Sequence, residues 1–253
     1  VINVCQSVGE LFSCLPMNKV KLHTLWLLGM LFLMTACGDD DDYYYPSVKL
    51  EFVTVKAGAD GLIQSLLPDK GELLTVAKDR TGSTISPNSA RRVISNYEVN
   101  PEDATAVIYS LQSVVTPEPK GADDPAFEGG LKYDPVDVTS IWLGRDYLNM
   151  ILNVKININS GKQHVFGMIE ESVESEGDET VVTLSLFHDA NGDEENYNRR
   201  AYISVPLTKY VDEENPHQTI RIKFKYHTTD KSGVVVESSK YCDPGFEYVP
   251  GVN

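Results

Sequence analysis

Asp189, Asn191, Asp193 and Glu195 alternate along DANGDEENYNRR, residues 189–200. Oxygen donors so spaced are the chemistry of a calcium loop, since Ca²⁺ takes roughly six to eight oxygens. The helix-flanked form of that loop wants glycine where this chain has Glu194, and its glycine comes early, at Gly192. Asn-Gly between strand-like runs is itself a strong hairpin signal, because both residues tolerate positive φ. The stretch 189–196 therefore reads as a solvated hairpin loop before it reads as a cation site.

His164, His188, His217 and His227 fall on different strands and loops, with no two at a metal-ligand spacing. No metal and no cofactor are expected, and a zinc site would have to be assembled in three dimensions. The chain contains no G-x-S-x-G, no H-E-x-x-H, no P-loop and no G-x-G-x-x-G. Cys242 has no neighbouring histidine to activate it. Glycoside hydrolysis needs two carboxylates about 5–10 Å apart in a cleft, but Asp123-Asp124 and Asp212-Glu213-Glu214 lie in loop-like stretches and read as solvated. The expectation is a protein that binds and does not catalyse.

One stripe could bind. RIKFKYH places Arg221, Lys223 and Lys225 on one face of a strand and Ile222, Phe224 and Tyr226 on the other. The plain reading is a half-exposed strand whose apolar face enters a core while its lysines discourage edge pairing. The sharper reading is a docking face for an anionic partner such as lipopolysaccharide.

Cys37 carries a different chemistry. Residues 24–36, TLWLLGMLFLMTA, are almost unbroken in their apolar character and follow Lys19 and Lys21. That pattern describes a cleaved signal peptide over 17–36. It is too short for a comfortable membrane span of roughly 20 apolar residues. Met34-Thr35-Ala36-Cys37 resembles the bacterial lipobox, in which the cysteine becomes the first mature residue and carries diacylglycerol. Residues 1–16 have no place in such a signal and read as an extension ahead of a start at Met17.

Asp39, Asp40, Asp41 and Asp42 follow at once, too charged to fold on themselves. They make residues 37–46 a solvated tether. They also resemble the acidic export signal that carries some lipoproteins of Gram-negative anaerobes to the outer face of the outer membrane. Tyr43, Tyr44 and Tyr45 could stack on a sugar or sit at the membrane interface, and read first as the end of the tether.

These residues need elements to hold them. The chain has 253 residues and a net charge of −15, which opposes binding to a phosphate backbone and excludes nucleic acid as the expected partner. With Cys37 lipidated and Cys5 and Cys14 in the extension, Cys242 alone remains, so stability must come from buried apolar area and not from disulfides. Period-2 alternation begins after Pro46 and recurs over 47–55, 62–67, 72–77, 91–99 and 104–115. Asp60-Gly61 and Asp69-Lys70-Gly71 supply the first two turns.

TPEPKGADDPAFEGG then interrupts the pattern, and 117–131 reads as a linker. Seven more runs follow over 136–143, 147–158, 163–171, 179–187, 199–207, 218–227 and 233–241. The predicted fold is all-β: a small five-stranded OB-like barrel over 47–116, then a roughly seven-stranded β-sandwich over 132–250.

The order of these motifs resembles a known family. The lipobox, the acidic tether, FVTVKAGADGLIQSLLPDKGELLTV, RRVISNYEV, DPVDVTSIWLGRDYLNMILNV and RIKFKYHT together look like a NigD-like lipoprotein, with an N-terminal OB domain and a C-terminal β-sandwich. The resemblance spans about 45–241 and implies no assigned catalytic residue. It implies a non-enzymatic outer-membrane lipoprotein, with bacteriocin self-immunity as the specific role. The alternatives are a surface glycan-binding or structural interaction lipoprotein, and a hydrolase with catalytic groups among the loop acids. The expected partners are the membrane, through acyl chains on Cys37, and a protein toxin, a receptor or a surface glycan. The expected location is the outer membrane, exposed at the cell surface, with the periplasmic face as the alternative.

Overall fold

Five alternating runs close on themselves. The computed structural model describes residues 47–176, 179–193 and 196–251; Cys37, Asp39–Asp42, Tyr43–Tyr45 and Glu195 lie outside them. Strands β1 (Val48–Ala57), β2 (Ile63–Pro68), β3 (Leu74–Asp79), β4 (Ala90–Asn100) and β5 (Thr105–Ser113) form a closed barrel in the order β1-β2-β3-β5-β4. Closure requires β3 and β5 to run parallel, the remaining pairs being antiparallel. Val53, Val55, Leu66, Tyr97 and Ile108 fill the interior. Burying each aliphatic side chain contributes about 1.5–3 kcal/mol.

Eight further strands make the sandwich: β6 (Pro119–Gly121), β7 (Asp137–Gly144), β8 (Tyr147–Ile156), β9 (Val165–Glu176), β10 (Glu179–Asp189), β11 (Tyr197–Pro206), β12 (Ile220–Thr229) and β13 (Val235–Tyr248). One sheet has the order β13-β12-β10-β9-β6, the other β11-β8-β7. Leu148, Met150, Leu152 and Ile203 of the small sheet meet Leu184, Ile222 and Phe224 of the large one.

Two local readings change. Asn191 and Gly192 do take positive φ, at 53° and 62°, but β10 and β11 do not pair. β10 joins β9 and β12, whereas β11 joins β8. The turn reverses the chain locally, and the buried faces of its flanks send them to different sheets. The second change concerns β12, which lies between β10 and β13. Its lysines therefore do not guard an edge.

The segment 117–131, expected to link two bodies, is built into the sandwich. Pro119–Gly121 runs parallel to β9, and a 3₁₀ turn at Pro125–Phe127 buries Phe127 against Ile169 and Phe187. Gly167 makes room for that ring: a Cβ there would lie 3.1 Å from Phe127 Cε1. Lys209 Nζ donates to the Pro119 carbonyl at 3.0 Å and pairs with Glu170 at 2.6 Å, while Tyr210 Oη donates to the same carboxylate at 2.6 Å. Low apolar content hid a segment held by one aromatic ring, a short pairing with β9 and one lysine hydrogen bond.

Barrel and sandwich share a further core. Phe52 of β1, Ile94 of β4 and Val114 pack on Trp142, Ile151 and Tyr202 of the small sheet, with Phe52 edge-on to Trp142 at 5.2 Å. Val115 N donates to Tyr202 O, and Ser204 N to Val115 O, each at 2.9 Å. Beneath lies Arg92, 4% exposed. It pairs with Asp69, donates to Asn149 Oδ1 at 3.1 Å and Ser204 Oγ at 3.0 Å, and stacks 4.3 Å from the Tyr147 ring. Asp69, read from sequence as a turn residue, is the counter-ion that a buried guanidinium requires.

Candidate functional site

The sandwich ends in a polar cleft of about 440 Å³, lined among others by Asp134, Asp137, Asn153, His164, His188 and Asp193. Residues from six places in the sequence meet here. The segment 132–136 is strapped down first: His188 N donates to Lys132 O and Asp134 N to His188 O, both at 3.0 Å, and Val136 N donates to His227 O at 2.9 Å. This fixes Asp134 beside the end of β10.

The β9–β10 register then sets His188 opposite Phe166, and the two rings stack at 4.7 Å. His188 is 2% exposed. Its Nδ1 meets the Asp134 carbonyl at 2.9 Å, and its Nε2 meets His164 Nδ1 at 2.9 Å. Burial pushes the His188 imidazole below its ordinary pKa, because the charged form loses its water.

The turn after β10 brings Asp193 back. Asn191 N donates to Asp189 Oδ1 at 2.7 Å and Asp193 N to Ala190 O at 2.9 Å. Ala190 N donates to Asp134 Oδ2 at 2.7 Å. The Asp193 side chain, 1% exposed, accepts from Asn157 N at 2.9 Å and places Oδ2 3.4 Å from His164 Nε2. That separation is within ion-pair reach, yet the nitrogen makes no hydrogen bond.

Sequence reasoning grouped Asp189 and Asp193 as parts of a calcium-like loop and left His164 and His188 scattered, because no motif spacing joins the histidines to each other or to that loop. The structure joins His164, His188 and Asp193. Asp189 instead closes its own turn, so the acids of 189–193 do not converge as a calcium loop. Among the described residues no three His, Cys, Asp or Glu side chains converge on a point. His217 lies elsewhere, near the Pro250 carbonyl, and His227 stacks on Tyr133 at 4.5 Å. Asp134 was missed, since it acts mainly through its backbone carbonyl, which any residue carries.

The basic stripe alternates as its sequence requires: Ile222, Phe224 and Tyr226 are buried and Arg221, Lys223 and Lys225 half-buried. Two of its charges are already answered. Arg221 grips both oxygens of Glu179, at 2.9 and 2.8 Å. Lys225 bonds Glu171 at 2.8 Å, and that bond raises its pKa. Cys242 is half-buried, its thiol pKa raised by burial.

Residues 52–114 match the NigD-like N-terminal OB domain, and residues 119–237 match the NigD-like C-terminal β-sandwich domain. Among solved structures, a NigD-like immunity protein from Bacteroides caccae is 70% identical, with a TM-score of 0.74 over 82% of this chain and 100% of that one. A protein described as toxin-related from Parabacteroides distasonis is 17% identical, with a TM-score of 0.62 over 81% of this chain and 95% of that one. A protein of unknown function from Bacteroides vulgatus is also 17% identical, with a TM-score of 0.57 over 82% and 96%. At that identity these two share the fold alone. No functionally curated protein matches the chain.

Proposed function

The chain belongs to the NigD-like family, and from that premise we propose that it is a non-enzymatic envelope lipoprotein acting in bacteriocin self-immunity. The observation that carries this reading is the 70% identity, over 82% of this chain and the whole of the other, with a chain described as an immunity protein. Immunity by occupation of a toxin, or of the toxin's receptor, needs an exposed and rigid surface. Barrel and sandwich share a core and a buried charge network, which supports such rigidity.

The geometry favours binding over hydrolysis. The histidine pair in the cleft spends three of its four ring nitrogens on the protein itself. A protein partner is favoured over a glycan bound on the barrel. The barrel strands carry Phe52, Tyr97 and Tyr109; the first two are buried, and Tyr109 is half-buried with its hydroxyl on Glu98. None offers the open aromatic platform on which a sugar stacks.

Lipidation at Cys37 would place the protein at the outer membrane, and Asp39–Asp42 would carry it to the cell surface, with the periplasmic face as the alternative. The test is to express the chain in a bacteriocin-sensitive relative and challenge it with culture supernatant from a producing strain. Survival restored by the wild type and lost in Cys37→Ala supports anchored immunity. Equal killing of cells that display the protein at normal abundance overturns it.

A further inference from the structure

The hydrogen-bond chain in the cleft ends on a nitrogen that is not yet used. A backbone carbonyl can only accept, so the 2.9 Å contact with Asp134 O puts the proton of His188 on Nδ1. His188 Nε2 is then an acceptor, and His164 Nδ1, 2.9 Å away, donates to it. This leaves His164 Nε2, which is closed to solvent, has no hydrogen-bond partner, and lies 3.4 Å from Asp193 Oδ2. On a neutral ring that atom is a lone pair facing a carboxylate. Two electron-rich atoms held so close call for a cation between them.

We propose that His164 Nε2 and Asp193 Oδ2 are two ligands of a site for a divalent transition metal of the zinc class. Zinc binds imidazole nitrogen and carboxylate oxygen at about 2.0–2.2 Å. A 3.4 Å separation between the two donors then corresponds to an angle of about 110° at the metal, the tetrahedral value. Calcium and magnesium want six or more oxygens and suit a nitrogen donor poorly.

The surroundings match what a metal-bound imidazole uses. The remaining N–H of such a ring usually donates to a fixed acceptor, which orients the ring and raises its basicity. His164 Nδ1 has that acceptor in His188 Nε2, itself held by Asp134 O. The carboxylate is oriented by Asn157 N at 2.9 Å. No third His, Cys, Asp or Glu converges on the pair among the described residues, and the cleft that both ligands line leaves room beside them for a further donor.

The experiment is calorimetric titration of the metal-stripped full chain, purified in detergent, with zinc chloride near neutral pH. The wild type should bind one equivalent. His164→Gln and Asp193→Asn should each abolish that binding, and His188→Gln should weaken it about tenfold, as loss of an outer-shell contact does. His227→Gln is the control, because His227 Nδ1 is also buried without a hydrogen-bond partner but pairs with no carboxylate among the described residues; it should bind as the wild type does. Circular dichroism without metal establishes that each variant folds. Nitrogen-15 shifts of the His164 ring in the wild type, with and without zinc, give a readout that needs no variant. No saturable binding, binding unchanged in both ligand variants, or a His164 Nε2 that stays protonated in excess zinc would each overturn the site in favour of a histidine–aspartate ion pair.

Discussion

Arg92 Nε donates to Ser204 Oγ at 3.0 Å, joining β4 of the barrel to β11 of the sandwich across 112 residues of sequence. The same guanidinium answers Asp69 and Asn149, so removing it strands a carboxylate inside a shared interface. Arg92→Leu should cost about 3–5 kcal/mol, the usual cost of leaving one partner of a buried pair unanswered. In urea, tryptophan fluorescence and far-ultraviolet circular dichroism should report one transition for the wild type and separate ones for the variant. An unchanged midpoint would mean that the apolar contacts alone hold the domains.

Gly144 ends β7 beneath this network, where an added Cβ would collide with Asp69 Oδ2 and Asn149 Nδ2. Gly144→Ala should therefore destabilise by about 1–3 kcal/mol, as overpacking does. In a double-mutant cycle with Arg92→Leu the two losses should fall short of additive, because both act on the same carboxylate. Strict additivity would place the Gly144 effect elsewhere.

The segment 117–131 should resist protease although its composition suggests an open linker, because Phe127 and β6 pin it. Phe127→Ala removes about 3–5 kcal/mol of packing and should open a cleavage site there. Mass mapping of early fragments checks this. Early cuts in the wild type at 116–130 would show that the pinning is too weak to protect the backbone.

Glu170 gives a pH signature. Burial alone would raise its pKa, but hydrogen bonds from Lys209 and Tyr210, with the lysine charge, hold it below the ordinary 4.5. A carboxylate with a depressed folded-state pKa binds fewer protons folded than unfolded, so its stabilisation is present above about pH 4.5 and is lost as pH falls through the folded value. Glu170→Gln should melt below the wild type at neutral pH, and the gap should close as the solution is acidified. A gap that persists at the acid end would assign the loss to packing and not to charge.

The proposed anchor and the acidic tether should separate by mutation. Cys37→Ala should abolish labelling by an acyl-chain probe. Neutral replacement of Asp39, Asp40, Asp41 and Asp42 should keep the lipid but protect the protein from proteases applied to intact cells. Equal shaving of both tethers would reduce the four aspartates to a spacer.

The alternation of apolar residues was enough to locate every strand of the barrel and all but one of the sandwich, because a strand buried on one face must alternate whatever it pairs with. The same alternation put Ile222, Phe224 and Tyr226 inside and left Arg221, Lys223 and Lys225 toward solvent. The resemblance carried by the order of the motifs identified the family. β6 escaped, since three residues beginning at Pro119 have no period to read, and pairing with β9 beside one buried ring at Phe127 holds them without a pattern.

Partners were another matter. Local backbone chemistry put Asn191 and Gly192 in a turn, but only the two buried faces decided that β10 and β11 enter different sheets. Asp69 looked like turn punctuation until Arg92 arrived from β4. His164, His188 and Asp193 follow no spacing because the β9–β10 register, a backbone carbonyl at Asp134 and a left-handed turn bring them together. Periodicity records which face of a segment is buried. Which segments share that burial, and so which polar atoms meet, is settled by long-range packing, and sequence spacing carries no trace of it.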